Sequence, residues 1–67
     1  MHFDKKKFKA ELALRGMSMK DLAKLLKINE STIYRKFNAD GDFSREEISK
    51  IITIMGIENP FEIFFAN

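Results

Sequence analysis

The sequence predicts an all-α, single-domain protein of five short helices, and three observations predict it. Apolar residues recur at three- and four-residue spacings along most of the chain, the period of helices that each bury one stripe rather than of strands. Residues that start and stop helices punctuate those runs, with Asp4, Ser18, Asn29, Ser44 and Asn59 at the openings and Gly16 and Gly56 at two of the ends. Sixty-seven residues make one domain, residues 1–67, able to bury only about 60% of its unfolded surface. With no cysteine, stability must come from that core or from oligomerisation.

The first helix runs from the cap Asp4 through Arg15, with Gly16 as its stop signal. Phe8 and Leu12 form an i, i+4 pair facing the core, Ala10 and Ala13 allow close approach, and Met1 and His2 are expected to fray. Lys5, Lys6 and Lys7 occupy the first turn, where positive charge opposes the helix dipole. Phosphate contact, attachment to a membrane surface and plain solubility each explain them. The membrane explanation is the weakest, because the helix is short and its apolar face is needed for the core.

Ser18 with Asp21 opens a second helix in the manner of a capping box. Leu22, Ala23, Leu25, Leu26 and Ile28 follow, then Ile33 and Phe37, and the register breaks between Lys27 and Asn29. Asn29 and Ser31 are residues whose short polar side chains cap helices, so a third helix begins there and runs from about Glu30 to Asn38. At 100° per residue Ile33 and Phe37 mark its inner face, which leaves Ser31, Tyr34, Arg35 and Asn38 outside. These side chains suit base edges and phosphates in a major groove. A polar outer face is also what any solvated helix shows.

The stretch Asn38 to Asp42 has turn composition, and Phe43 is an anchor before the next cap. Ser44 and Glu47 form a capping box for a fourth helix whose stripe is Ile48, Ile51, Ile52 and Met55, with Ile54 off it and Gly56 closing it. Its acids are expected to face away from the third helix's outer face. Asn59 and Pro60 open the last helix as cap and first residue. Phe61, Phe64 and Phe65 are expected to share one face, with Ile63 pointing elsewhere. Either all four complete the monomer's core, or part of the tail, with Ile54, makes a two-fold contact with a second copy.

The net charge is only +2, but residues 1–37 hold ten cations against four acids, and residues 38–67 two against six. That asymmetry suits a chain with one side facing a polyanion, or else marks a solvated face. The apolar run from Ile51 to Ile57 is interrupted by Thr53 and Gly56 and falls far short of the roughly 20 residues that span a bilayer. No apolar stretch follows the N-terminal lysines as a signal peptide would require. No serine has a visible base, the one histidine is near a terminus and the three glycines form no phosphate-cradling loop. Neither enzyme activity nor a cofactor, metal or small-molecule ligand is expected.

The string LAKLLKINESTIYRKFN resembles the helix-turn-helix of the lambda-type repressor and Cro family. Ala23 stands at that family's small position on the first helix of the motif, Ile28 at the apolar residue after the turn, and Ile33 at the branched residue that seats the recognition helix. The resemblance covers about twenty residues strongly. It departs from the pattern at Lys27, where the family usually has glycine in a turn that often needs a positive φ, at a cost of about 1 kcal/mol for another residue. It departs again at Met19, where a glutamine often contacts phosphate, and at Lys36, where a large apolar residue is common.

The resemblance implies a five-helix lambda-repressor-like domain that binds double-stranded DNA, a phage-type transcriptional regulator of the repressor or Cro kind, cytoplasmic in a bacterial cell or phage-infected host. Base contacts are then expected from Ser31, Tyr34, Arg35 and Asn38, with Glu30 and Thr32 as lesser candidates, and Arg35 would form the bidentate contact to guanine. Ser18, Lys20, Lys36 and Lys6 are the expected phosphate contacts. A homodimer through Phe61, Phe64 and Phe65 would read half-sites about one helical turn apart. Two other classes stay open: a protein-binding module, such as an antitoxin-like or antirepressor-like partner, and a membrane-surface peptide.

Overall fold

The computed structural model describes residues 2–66, and its five helices are α1 (Lys5–Leu14), α2 (Met19–Leu26), α3 (Glu30–Asn38), α4 (Arg45–Met55) and α5 (Pro60–Phe64). The local signals explain most of the boundaries. Asp4 accepts from the Lys7 N–H through Oδ1 at 3.0 Å and so opens α1. Ser18 and Asp21 form a complete reciprocal capping box on α2, and Ser44 and Glu47 do the same on α4. Gly56 closes α4 in left-handed backbone at φ 63°, which a residue without Cβ adopts freely.

Two expected caps act differently. Asn29 and Asn59 hold the N-cap positions of α3 and α5, yet neither side chain makes a capping hydrogen bond. At Asn29 the backbone carbonyl does the work, accepting from the N–H groups of Thr32 at 3.0 Å and Ile33 at 3.1 Å, while Glu30 places negative charge in the first turn. Ser31 lies inside the helix rather than capping it. Lys27, by contrast, adopts the left-handed conformation the turn demands, at φ 59° and ψ 42°. The Ile28 N–H then reaches back to the Ala23 carbonyl at 3.0 Å, closing α2 in the way a glycine normally would.

The helices enclose an aromatic centre that no single helix supplies. Phe3 precedes α1, is buried, and lies 5.3 Å from Phe8, 5.5 Å from Phe37, 5.9 Å from Phe43 and 5.7 Å from Phe64, centroid to centroid. Those tilted and edge-on arrangements suit the ring quadrupoles. Around them pack Leu12, Met19, Leu22, Ala23, Leu26, Ile33, Ile51, Met55, Ile57 and Ile63, all buried, with Ile48, Ile52 and Ile54 partly buried against the cluster. Leu25 and Leu14 stay exposed. Ala10 and Ala13 are exposed too, so they do not bring α1 close to the core, because α1 faces inward along Phe8 and Leu12 alone.

The ends of the chain hold one another. His2 and Ala66 exchange backbone hydrogen bonds at 2.6 and 2.7 Å in an isolated antiparallel bridge, and the Asp4 N–H donates to the Ile63 carbonyl at 2.7 Å. His2 is therefore ordered rather than frayed, whereas Met1 lies outside the described residues. The bridge also corrects the tail. It rotates α5 so that Ile63 and Phe64 turn inward while Phe61, 64% exposed, and Phe65, 37% exposed, remain outside with ring centroids 5.5 Å apart. Phe64 thus does not share a face with Phe61 and Phe65, and it is not available to a second copy.

Arg15 joins α1 to the end of α4. Its guanidinium donates to the carbonyls of Met55 and Gly56 and, through Nη1, to the Glu11 carbonyl at 2.7 Å. A fork of fixed donors matches carbonyls left unpaired at a helix terminus.

Candidate nucleic-acid interface

α2 buries Met19, Leu22, Ala23 and Leu26, and α3 buries Ile33 and Phe37, so the two helices share the core across the Lys27 turn. Ala23 is 2% exposed, and so small a side chain lets another helix come near. With its inner edge fixed at Ile33 and Phe37, α3 must present the opposite arc. Tyr34, Asn38, Ser31 and Arg35 fall within about 100° of its circumference, all exposed. Among the described residues none of these four side chains has an ion pair or hydrogen-bond partner. Glu30 is exposed as well, and Thr32 is half-buried at the margin.

Unpartnered polar groups of this sort are free to exchange water for base edges or phosphate oxygens. Arg35 stands opposite the buried stripe in the last turn of α3, and its planar fork has the geometry to meet two acceptors at once. Tyr34 is 44% exposed and combines a flat apolar ring with a hydroxyl.

The expected phosphate contacts fall into two groups. Ser18 and Lys20 are exposed at the N-terminus of α2. The Ser18 Oγ accepts from the Asp21 N–H at 3.1 Å. Asp21 remains ionised beside it, its carboxyl held below the usual range chiefly by the Ser18 N–H and then by the Ser18 hydroxyl, Lys24 and Lys20. Lys6 is exposed and without an ion pair among the described residues.

Lys36 is in a different position. Its Nζ lies 3.0 Å from Glu47 Oε1, with the two side chains 23% and 20% exposed. Glu47 is thus turned toward α3 at Lys36, whereas Glu46 pairs with Lys50 on its own helix. Met19 is buried at the first position of α2, so it fills the core and offers nothing to a phosphate.

Burial works against charging Glu47, but the Ser44 N–H and the Lys36 ammonium outweigh it, and the carboxyl sits below its ordinary range. A depressed carboxylate contributes stability above its unfolded pKa and loses it as pH falls through the folded value. Urea midpoints measured between about pH 6 and about pH 3 should therefore fall more steeply for the wild type than for Glu47→Gln, which keeps a capping acceptor but not the charge. Parallel pH profiles for the two proteins would remove the ion pair from the account.

One feature of this surface was not anticipated. Lys5 and Lys9, one turn apart on α1, place their Nζ atoms 5.6 and 5.7 Å from the centroid of the Phe37 ring in the last turn of α3. Their i, i+4 spacing next to the Phe8 and Leu12 stripe was a signal that one edge of α1 is basic. What that edge adjoins depends on tertiary packing.

No helix among the described residues is long and apolar enough to cross a membrane, and among them no three His, Cys, Asp or Glu residues gather as metal ligands would. The chain matches no curated protein and no solved structure. A family model described as a Cro/C1-type HTH DNA-binding domain matches residues 7–64, a span that takes in all of α2, α3, α4 and α5 and most of α1. With α2 and α3 forming the two-helix motif and the polar arc of α3 outermost, the chain belongs to the Cro/C1-type helix-turn-helix DNA-binding domains.

Proposed function

We propose that this domain reads a specific duplex sequence with α3 in the major groove and acts in transcriptional control as a phage-type repressor or Cro-like regulator. The observation that carries the reading is the arc of Ser31, Tyr34, Arg35 and Asn38, exposed and unpartnered opposite a fully buried stripe. Arg35 makes the bidentate contact to guanine, with Glu30 and Thr32 at the edges of the read surface. Ser18, Lys20 and Lys6 meet phosphates and position the domain without reading sequence. Lys36 joins them only by leaving Glu47.

A two-fold pair formed through Phe61 and Phe65 would place two recognition helices on half-sites about one helical turn apart. Phe61 is exposed and lies against Phe65 with the rings tilted at 45°, an arrangement that a partner surface would bury.

Selection from a random duplex library at about 100 mM salt tests the reading. A near-palindromic consensus supports a dimeric regulator, and an asymmetric half-site supports a monomer. Arg35→Ala is expected to lose about 1–3 kcal/mol of discrimination at one G·C position while leaving the fold intact. Unchanged sequence preference in that variant would remove Arg35 from the base contacts.

The exposed apolar side chains Leu14, Leu25 and Phe61 favour a second reading, a protein-binding module with the same fold. Tight capture of a protein, with no enrichment of any duplex by a folded chain, is the outcome that would select it.

A further inference from the structure

Lys5 and Lys9 differ from the other cations of the described residues in lying over an aromatic ring. Lys7, Arg15, Lys36 and Lys50 each face a carboxylate, at 3.7, 3.2, 3.0 and 3.8 Å. Lys5 and Lys9 face none among the described residues. Both are exposed, and both amines lie over the ring of Phe37, which is only 4% exposed and stands one residue before Asn38. Two positive charges therefore converge on the surface where α1 meets the C-terminal turn of α3.

Helix stability does not explain Lys5, because the first turn of α1 holds Lys5, Lys6 and Lys7 and no acid at the end of a helix dipole that disfavours cations. Attraction to the ring face keeps each amine close to one place. A lysine already confined in this way gives up less freedom when it meets an anion.

We infer that Lys5 and Lys9 form a two-lysine phosphate clamp that grips the DNA backbone beside the C-terminal end of α3. The inference rests on the reading of α3 as the helix that enters the groove. The clamp reads no base. It fixes how far the end of α3 swings along the groove, and so the register in which Asn38 and Arg35 meet base edges. Ser18 and Lys20, on α2, are a separate anchor, and two separated anchors constrain a rigid domain where one would leave it free to pivot.

A purely structural role for the pair, covering Phe37 with apolar stems, predicts a different result from the same variants. Lys5→Met/Lys9→Met keeps unbranched apolar stems over the ring and removes both charges. In the full chain this double variant should bind all duplexes more weakly, and the slope of log K against log salt should shrink by about 1.8, since each phosphate contact contributes about 0.9. Lys7→Met/Lys50→Met removes the same net charge from two lysines already paired with acids, and its slope should match the wild type. The single variants Lys5→Met and Lys9→Met should each remove about half of the effect, and they serve if the double variant melts early. An unchanged slope in the Lys5/Lys9 variants, an equal loss in the control pair, or a loss confined to one sequence overturns the clamp alone. Failure of the wild type to retain any duplex overturns the groove reading and the clamp with it.

Discussion

Replacing Phe3 with alanine is expected to destabilise the domain by about 3–5 kcal/mol, the range for removing a buried aromatic ring. Phe3 lies outside every helix, yet like Phe8 it enters four of the aromatic pairs, meeting Phe8 of α1, Phe37 of α3, Phe64 of α5 and the pre-helical Phe43. Its own backbone is tied on both sides. The Phe3 N–H donates to Asp40 Oδ1 at 3.2 Å, and the flanking residues bond to Ala66 and Ile63. The chain cannot readily collapse into the space left by the ring, so most of the cavity should persist. A domain of this size has roughly 3–10 kcal/mol of stability in all, which leaves the variant largely unfolded or close to it. Urea denaturation followed by circular dichroism measures the loss directly. Phe61→Ala supplies the contrast, since an exposed ring away from the core should change stability by no more than about 0.5 kcal/mol. Similar midpoints for the two variants would contradict the central place given to Phe3.

What could be read from the sequence were the features whose causes are local. Ser18 with Asp21 and Ser44 with Glu47 sit three residues apart, so a capping box is determined within one turn. Ile33 and Phe37 locate the inside of α3, and the helical period then dictates the outside, which is why the candidate base-reading residues follow from the sequence alone. The left-handed turn at Lys27 was pointed to only by the resemblance, which has glycine there, and Lys27 adopts that conformation at φ 59° despite its side chain.

Features decided between distant segments were not legible. Phe3 has no periodic partner in sequence, since it stands in extended chain ahead of α1. The five-residue α5 is too short for its period to choose a face, and its rotation is set by backbone bonds from His2 and Asp4 to Ala66 and Ile63. Arg15 reads in sequence as one more positive charge, whereas its guanidinium closes the C-terminus of α4 some forty residues away. Lys36 reads as a free cation and is held by Glu47 across an inter-helix gap. The partner of a charged side chain on this surface is therefore a tertiary property, as Lys36 shows.

Gly41→Ala is the second substitution expected to have a large effect, about 2–5 kcal/mol from two separable causes. Asp40 and Gly41 are successive residues in left-handed backbone, at φ 56° and 68°, and they turn the chain out of α3 toward Phe43. Any side chain at the second position carries the left-handed penalty. Here it would also place its Cβ 2.3 Å from Phe3 Cγ and 2.7 Å from Phe3 Cβ, and the latter atom cannot swing away as the tip of a flexible side chain could. Gly16 separates the two causes. It has φ 63° with nothing within 4 Å of an added Cβ, so Gly16→Ala should cost only the conformational part, about 1–2 kcal/mol. The excess at Gly41 then measures the clash with Phe3. Removing the ring should relieve it, so Phe3→Ala/Gly41→Ala is expected to lose less than the two single losses added together, by about 1–3 kcal/mol. Because the same turn sets where α3 ends, Gly41→Ala should also weaken duplex binding at temperatures where it is still folded. Strict additivity in the double variant would mean that Phe3 and Gly41 do not press on one another, and would make the turn a matter of backbone conformation alone.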